Sequence, residues 1–453
     1  MTANLLSFDL TSTGPAQIAL VLFCVAYLLV VLEERLHVRK SIPVVLAAGA
    51  CWTLVAIAYH AHPESHRLDA SHMEDRVMHH VADYGALFLF LMVAMTYISA
   101  ISQHNVFLKL NSILVSRGFS LRAVFWLTGA LAFFISPVAD NMTTALLMGA
   151  VAISVGRGHA WFISLACTNI VIAANAGGAF SPFGDITTLM VWQEGKVHTG
   201  KFLALFVPSL VNWLVPAACM HFLVPKSSPE GVQQDAQLKQ GWLVVILLFL
   251  ATIVTSIVFH MAFHIPPFLG MMTGLGYYFV YGCLVTRRHH KSGKGEPLDV
   301  FKNVADVEWD TMLFFFGVVM CVGAMQELGY LTLVGNWLFA ADGGIGAFWA
   351  NVGIGILSAV VDNVPVMFAV IGMNPPMDPT GALHTPVADY NWLLVTLTAG
   401  VGGSLLSVGS AAGVALMGSA RGNYTFGGHL KVMPFIALGY AASIWVHTLL
   451  NGA

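Results

Sequence analysis

Long apolar stretches alternate with short polar ones from one end of the chain to the other. Eight of the apolar stretches are long enough to cross about 30 Å of hydrocarbon as α-helices. They predict membrane spans at 16–33, 42–59, 82–101, 202–224, 242–260, 266–285, 308–327 and 432–450. The longest polar stretches, at 60–80, 225–241 and 286–307, are predicted loops, so no soluble domain of useful size remains.

Four further apolar segments are interrupted by glycine, proline or polar residues, which weaken or remove helical hydrogen bonds. Backbone left unpaired at membrane depth survives only inside protein or beside a water-filled cavity. We therefore predict two re-entrant helical hairpins and two broken transmembrane helices. The hairpins are 123–155, with half-helices at 123–136 and 142–155, and 345–373, with half-helices at 345–358 and 365–373; the broken helices are 160–193, interrupted between 175 and 187, and 391–419, interrupted between 401 and 411.

The composition supports an all-α polytopic membrane protein. Of the 453 residues, 57% are hydrophobic and only 9% are Asp, Glu, Lys or Arg. A soluble domain averages about 25% charged residues, so a water-soluble enzyme is excluded. The six cysteines are isolated in apolar segments, where they are expected to pack as small hydrophobic residues rather than to form disulfides or a metal site.

An Asp-Asn pair occurs in each predicted hairpin, at Asp140-Asn141 and, 222 residues later, at Asp362-Asn363. A carboxylate near the bilayer centre costs roughly 2.5–3.5 kcal/mol, so it is a functional-site hypothesis by default. The alternative is that each pair only caps the helix that follows it. Both roles can coexist, because the positive end of a helix helps to keep a carboxylate ionised.

Asp185 is a third acid within an apolar region, and its counterpart in the second half of the chain is near the neutral Ser410. It would carry the charge that distinguishes a proton from a metal ion, or it would be a structural aspartate bonded to the backbone of the break. Neutral oxygen atoms accompany the three acids. The candidate supporting ligands for a small cation are Ser136, Thr143, Thr144, Asn175, Ser181, Thr187, Thr188, Ser358, Ser404, Ser407 and Ser410.

Internal similarity indicates a duplicated chain. The segment 87–95 is similar to 312–320 at an offset of 225 residues, and Gly177-Gly178 and Gly402-Gly403 keep the same offset. With both termini outside, 16 of the 20 Lys and Arg residues fall in cytoplasmic loops, in agreement with the positive-inside rule. The first hairpin then opens to the cytoplasm and the second to the exterior, so the two repeats are predicted to be inverted, as in many secondary transporters.

This organisation predicts four parts along the chain. They are an N-terminal scaffold at 1–80, a first repeat at 81–224, a linker with central spans at 225–307, and a second repeat at 308–453. The scaffold part includes a His-rich segment at 60–80, which we interpret as a solvated external loop, with a pH-responsive surface as the alternative.

Four motifs, beginning at Phe133, Asn175, Val361 and Thr398, closely resemble those of the NhaD-type sodium/proton antiporters. That family belongs to a superfamily with arsenite exporters and dicarboxylate carriers, and the likeness runs from about residue 80 to the C-terminus. The resemblance implies extrusion of Na⁺ or Li⁺ across a bacterial inner membrane in exchange for protons, without a cofactor. It also implies a homodimer with a scaffold, a transport domain and elevator-like motion.

The hypothesis from the sequence is that a proton and a cation compete for ionised Asp140 and Asp362, with Asp185 as a possible third participant. The partners are then the lipid bilayer and a second copy of the chain, with no nucleic acid or soluble protein. A transporter of arsenite or dicarboxylates is the first alternative. An intramembrane aspartyl protease, with Phe183-Gly184-Asp185 as part of its signature, is the second.

Overall fold

The computed structural model of the protein describes residues 9–36, 38–61, 71–116, 118–156, 158–226, 237–292, 298–339, 344–420 and 422–452. Within those ranges every regular element is a helix. The α-helices are α1 Gly14–Val31, α2 Glu33–Leu36, α3 Ser41–Ala61, α4 Ser71–Gln103, α5 Val106–Ser116, α6 Leu121–Ala139, α7 Asn141–Val155, α8 Ala160–Gly178, α9 Ile186–Gln193, α10 Phe206–His221, α11 Trp242–Phe263, α12 Pro267–Ser292, α13 Val300–Ala305, α14 Trp309–Glu327, α15 Tyr330–Phe339, α16 Ala347–Leu357, α17 Asn363–Met373, α18 Pro386–Gly402, α19 Ala411–Ser419, α20 Phe426–Leu430 and α21 Met433–Asn451. A 3₁₀-helix at Thr199–Leu205 leads directly into α10.

Ten helices within the described ranges are long and apolar enough to cross a membrane, which confirms an all-α polytopic protein. Eight of them coincide with the eight predicted spans, and the other two are α6 and α8. The helix α4 begins at Ser71, well before the predicted start at residue 82. Its first turns carry polar residues, but Arg76 and His80 are buried, so packing extends the helix beyond its apolar part. The other half of the predicted His-rich loop, at 62–70, lies outside the described residues.

The helix α6 is also longer than predicted. It continues through Pro137 to Ala139, whereas the sequence predicts an end at residue 136. Proline has no amide hydrogen, so the carbonyl of Phe133 cannot accept its usual bond from residue 137. That carbonyl instead faces Gly177 of α8, where any side chain would overlap it. The glycine lets α8 approach this carbonyl closely, and α6 continues past Pro137 so that the interruption is reduced to Asp140.

The chain forms two compact units. The first unit comprises Met1–Ala86, Glu308–Gly353 and Val364–Asn391, and the second comprises Leu87–Val307, Ile354–Asn363 and Trp392–Ala453. The four-part division along the sequence stays a prediction.

In the first unit, α1, α3 and α14 pack against one another. The indole of Trp52 donates to the carbonyl of Met320 at 2.9 Å, which ties α3 to α14. At the end of α14, the carboxylate of Glu327 forms a buried ion pair with Arg76. Arg76 also donates to the hydroxyl of Tyr59 at 2.9 Å, so this charge is held by several partners inside the unit.

In the second unit, α8 is the central helix, and from Phe162 to Gly178 every residue is buried. It packs against α6, α7, α10 and α19. The side chain of Asn169, inside this core, accepts from the Trp213 indole at 2.9 Å and donates to the Phe125 carbonyl at 2.8 Å. These bonds fix α8 relative to α6 and α10, and thereby position the break that follows α8.

Candidate functional site

The first Asp-Asn pair lies where α6 ends and α7 begins. Asp140 has φ 47°, in a region that non-glycine residues rarely adopt, and such strain costs about 1–3 kcal/mol. Its carboxylate accepts from the amide of Thr143 at 2.9 Å and caps α7. Asp140 therefore does cap the following helix, as the capping interpretation predicted. The cap does not exclude a second role, because strained residues cluster at functional sites.

Asp185 is the buried carboxylate of the second unit, with 6% of its surface exposed. It caps α9 by accepting from the amide of Thr187 at 3.2 Å. The side-chain amide of Asn141 donates to its Oδ2 at 2.9 Å. The side-chain amide of Asn363 donates to Oδ1 at 3.3 Å and to Oδ2 at 3.1 Å. The asparagines of both Asp-Asn pairs therefore converge on Asp185.

This arrangement suits an ionised carboxylate, which can only accept hydrogen bonds. The Asn141 amide is oriented by Ser136, whose hydroxyl donates to Oδ1 of Asn141 at 2.7 Å. Within the described residues Asp185 has no ion pair with Lys, Arg or His. Asp362 directly precedes Asn363, whose amide contacts Asp185, so its negative charge repels that of Asp185. A cation or a proton at Asp185 would relieve that repulsion.

Asp140 and Asp362 are half-buried, unlike Asp185. The structure thus brings Asn141, Asn363, Asp362 and Asp185 together, with Asp185 at the centre. The sequence analysis placed Asp140 and Asp362 first and Asp185 third. The geometry instead gives Asp185 the central position. The assignment of the cation ligands stays a prediction.

The two halves of the chain build this region with the same backbone contacts. Gly177 packs against the carbonyl of Phe133, and Gly402 packs in the same way against the carbonyl of Gly355; in both places any side chain would overlap the oxygen. A Cβ added to Gly184 would lie 2.9 Å from the Ser136 carbonyl oxygen, and one added to Gly409 would lie 2.7 Å from that of Ser358. The offsets agree with those of the sequence repeat, so corresponding residues make corresponding contacts.

The second break, between α18 and α19, has hydroxyl groups in place of an acid. Ser410 caps α19 by accepting from the Gly413 amide at 3.3 Å, as Asp185 caps α9. Ser404 accepts from the side chain of Asn175 at 2.8 Å, and Ser407 contacts the sulfur of Met417. The side-chain oxygen of Asn175, Oδ1, is buried and has no hydrogen-bond partner among the described residues.

Four further predicted ligands donate their hydroxyl hydrogen to nearby backbone carbonyls, whereas the hydroxyl of Thr187 is buried without a hydrogen-bond partner among the described residues. Ser181 donates to the Pro137 carbonyl at 2.9 Å, and Ser358 donates to the Ala399 carbonyl at 2.7 Å. Thr188 donates to the carbonyl oxygens of Ser181 and Asp185, and Thr144 donates to that of Ala139 at 3.4 Å. A hydroxyl that donates its hydrogen keeps its oxygen lone pairs, so these bonds are compatible with cation binding.

His429 is a residue of this region that the sequence analysis missed. It lies in the short helix α20 and is completely buried. Its Nε2 is 2.9 Å from the carbonyl oxygen of Ser404, which the helix break leaves without a helical partner. A carbonyl can only accept, so Nε2 carries the hydrogen, and the Tyr424 hydroxyl at 2.8 Å is placed to donate to Nδ1. No motif or spacing in the sequence signals this role.

We expect His429→Ala to destabilise the protein by leaving the Ser404 carbonyl buried and unpaired, at a cost of about 1–3 kcal/mol. His429→Gln should lose less, since the glutamine amide offers a donor near the position of Nε2. The thermal midpoint of the purified protein in detergent measures both. Equal midpoints for wild type and His429→Ala would show that this bond does not support the break.

A buried carboxylate between two helix-end asparagines, together with ten potential spans among the described residues, indicates a membrane transport protein. Residues 27–400 match the family model described as citrate transporter, CitMHS. The chain is 50% identical to the Na(+)/H(+) antiporter NhaD of Alkalimonas amylolytica, over 99% of this chain and 93% of that protein. It is also 50% identical to NhaD of Vibrio cholerae serotype O1, over 98% and 94%. Sodium/proton antiporter 1 of Arabidopsis thaliana is 30% identical, over 93% and 70%.

With this identity over nearly the whole length, the chain belongs to the NhaD family within the CitMHS transporters. The resemblance found in the sequence motifs is thereby confirmed.

Proposed function

We propose that the protein exchanges Na⁺, or Li⁺, for protons across a bacterial inner membrane, as a secondary active transporter without a cofactor. The family supports this proposal through the names of its members. The observation that carries it is the buried Asp185 with an asparagine amide from each half of the chain. Such a carboxylate binds either a proton or a cation, and either one neutralises it.

In the proposed cycle, ionised Asp185 accepts the amide hydrogens of Asn141 and Asn363 while no cation is bound. An arriving Na⁺ takes the place of these donors at the carboxylate. Rotation of the Asn363 amide then turns its oxygen toward the ion, and the buried oxygen of Asn175 and the hydroxyl of Thr187 supply further ligands. Oxygen atoms of this kind suit a small hard cation.

Asp140 and Asp362 act beside this centre in the proposal. Their negative charges attract the cation from the aqueous side, and the repulsion between Asp362 and Asp185 favours uptake of a positive charge. Protonation from the more acidic side then displaces the cation. Competition at one centre couples the two fluxes, because both ions cannot occupy it together.

The architecture we propose for this cycle has two inverted repeats, each with a re-entrant hairpin and a broken helix. The matching glycine–carbonyl contacts in the two halves support a repeat. A homodimer with elevator-like motion and both termini outside completes the proposal.

The family model is described by citrate transport, so an anionic substrate is the second candidate. The two carboxylates of Asp185 and Asp362 disfavour it, since a tricarboxylate would add to their repulsion. Neutral arsenous acid would not be repelled.

Everted vesicles with a ΔpH-sensitive dye test the proposal. We expect Na⁺ and Li⁺ to dissipate a preformed proton gradient, and K⁺, citrate and arsenite to have no effect. Vesicles from cells lacking the protein are the control, and the variants Asp140→Asn and Asp362→Asn should slow the response. A response to citrate or arsenite, or none to Na⁺ and Li⁺, would overturn the proposed function.

A further inference from the structure

Gly400 of α18 faces the carboxylate of Asp185. A Cβ added to Gly400 would lie 3.4 Å from Oδ2 of Asp185, 3.6 Å from Cβ of Ala179 and 3.7 Å from the hydroxyl oxygen of Thr187. These are ordinary van der Waals separations. The missing side chain therefore leaves a small space beside the carboxylate, bordered by Ala179 and Thr187.

Neither packing nor backbone geometry explains a glycine at this position. Gly402, two residues later, has its Cβ position blocked by the backbone of Gly355, whereas Gly400 has room for a methyl group. Gly400 also lies inside a helix, without a positive φ. There glycine is less favourable than alanine by about 0.8–1.0 kcal/mol. What the glycine provides at position 400 is the small space beside the Asp185 carboxylate, which a larger residue would fill.

The sequence repeat sharpens this point. At the offset of 225 residues that relates the two glycine pairs, the position equivalent to Gly400 is Asn175, and that equivalent to Asp185 is Ser410. The first half thus has an acid and a large side chain where the second has a hydroxyl and a glycine. The side chain of Asn175 reaches Ser404, whereas Gly400 leaves the region beside Asp185 open.

We propose that Gly400 determines which cations the protein accepts, by keeping open the space in which a cation coordinates Asp185. The inference rests on the proposed function and adds a determinant of specificity to it. A methyl group at position 400 would shorten the distance available to an ion between Asp185 and the wall of the space. It would hinder Na⁺ more than the smaller Li⁺, and would leave a proton on Asp185 unaffected.

The experiment compares wild type with Gly400→Ala in everted vesicles, through the apparent KM for Na⁺ and for Li⁺. A methylene group in a binding pocket changes recognition by about 10–200-fold. We therefore expect the KM for Na⁺ to rise about tenfold or more relative to that for Li⁺. Gly276→Ala, inside α12 with open space around its Cβ position, is the matched control and should change neither value.

The opposite change tests the same space from its other wall. Ala179→Gly should raise the KM for Li⁺ relative to Na⁺, and Gly400→Ala combined with Ala179→Gly should recover part of the Na⁺ affinity. A purely structural role of Gly400 would not produce this rescue. Thermal midpoints in detergent show whether each variant folds.

The outcomes separate the two proposals. If wild type exchanges Na⁺ but Gly400→Ala keeps the wild-type ratio of the two KM values, the inference about Gly400 is wrong and the proposed function stands. The inference is equally wrong if Gly400→Ala fails to fold and Ala179→Gly leaves the ratio unchanged. If wild type exchanges neither ion, the proposed function itself fails.

Discussion

We expect Asp185→Asn to abolish exchange of Na⁺ or Li⁺ for protons, down to the level of vesicles without the protein. The substitution preserves shape and the cap of α9, because asparagine is as good a capping residue as aspartate. It removes the negative charge and the carboxylate that takes up the proton in the proposed mechanism. Without the charge the cation loses its main ligand. Without a group that binds both ions, the flux of cations is no longer coupled to the flux of protons.

A second capping aspartate of the same unit is the control. Asp299 accepts from the amides of Phe301 and Lys302 at the start of α13, and it is exposed. Asp299→Asn should exchange Na⁺ at the wild-type rate. The thermal midpoint of Asp185→Asn should stay near that of wild type. Exchange by Asp185→Asn at more than half the wild-type rate would remove Asp185 from the centre of the mechanism.

We expect Glu327→Gln to lower the free energy of unfolding by about 3–5 kcal/mol, the usual cost of breaking a buried ion pair. The substitution leaves the Arg76 guanidinium buried without its opposite charge, and the hydroxyl of Tyr59 replaces it only in part. His80, whose Nε2 is 3.7 Å from the same carboxylate, loses its charged neighbour as well. Denaturation of the purified protein in mixed micelles measures the change.

The more exposed pair His79–Asp83, also on α4, provides the comparison. Its atoms are 3.8 Å apart, and the side chains are 66% and 35% exposed. A pair of this kind contributes at most about 1 kcal/mol, so Asp83→Ala should unfold almost as wild type does. Replacing Arg76 and Glu327 together by methionine should recover most of the loss, since no charge then remains buried. Equal losses for Glu327→Gln and Asp83→Ala would contradict this account.

The sequence predicted the helices well because hydropathy reports the same transfer free energy that places a helix in a membrane. Helices are observed at all eight predicted spans, and the interruptions near residues 180 and 405 and the helix ends at both Asp-Asn pairs are observed as well. The predicted start of α4 was wrong because Arg76 and His80 are buried by tertiary packing, which hydropathy along the sequence does not report. The predicted end of α6 was wrong because Pro137 lies in the last turn, where the loss of one helical hydrogen bond does not end the helix.

The candidate site was predicted as a set of residues, without its arrangement. The three acids were selected only because it costs free energy to place a carboxylate in a membrane. The convergence of Asn141 and Asn363 on Asp185 joins residues 44 and 178 positions away along the chain, so it depends on how the helices pack. His429 and Gly400 carried no signal, because one acts through a backbone carbonyl and the other through a side chain that it lacks.

The glycine contacts of the two halves bear on how an ion would move. Where Gly177 meets Phe133 and Gly402 meets Gly355, main chain touches main chain, and no rotamer exists to absorb a shift. Each helix tip and the break beside it would then travel as one piece. In the proposed transport cycle the bound ion would then move together with its ligands, instead of passing from one ligand to the next.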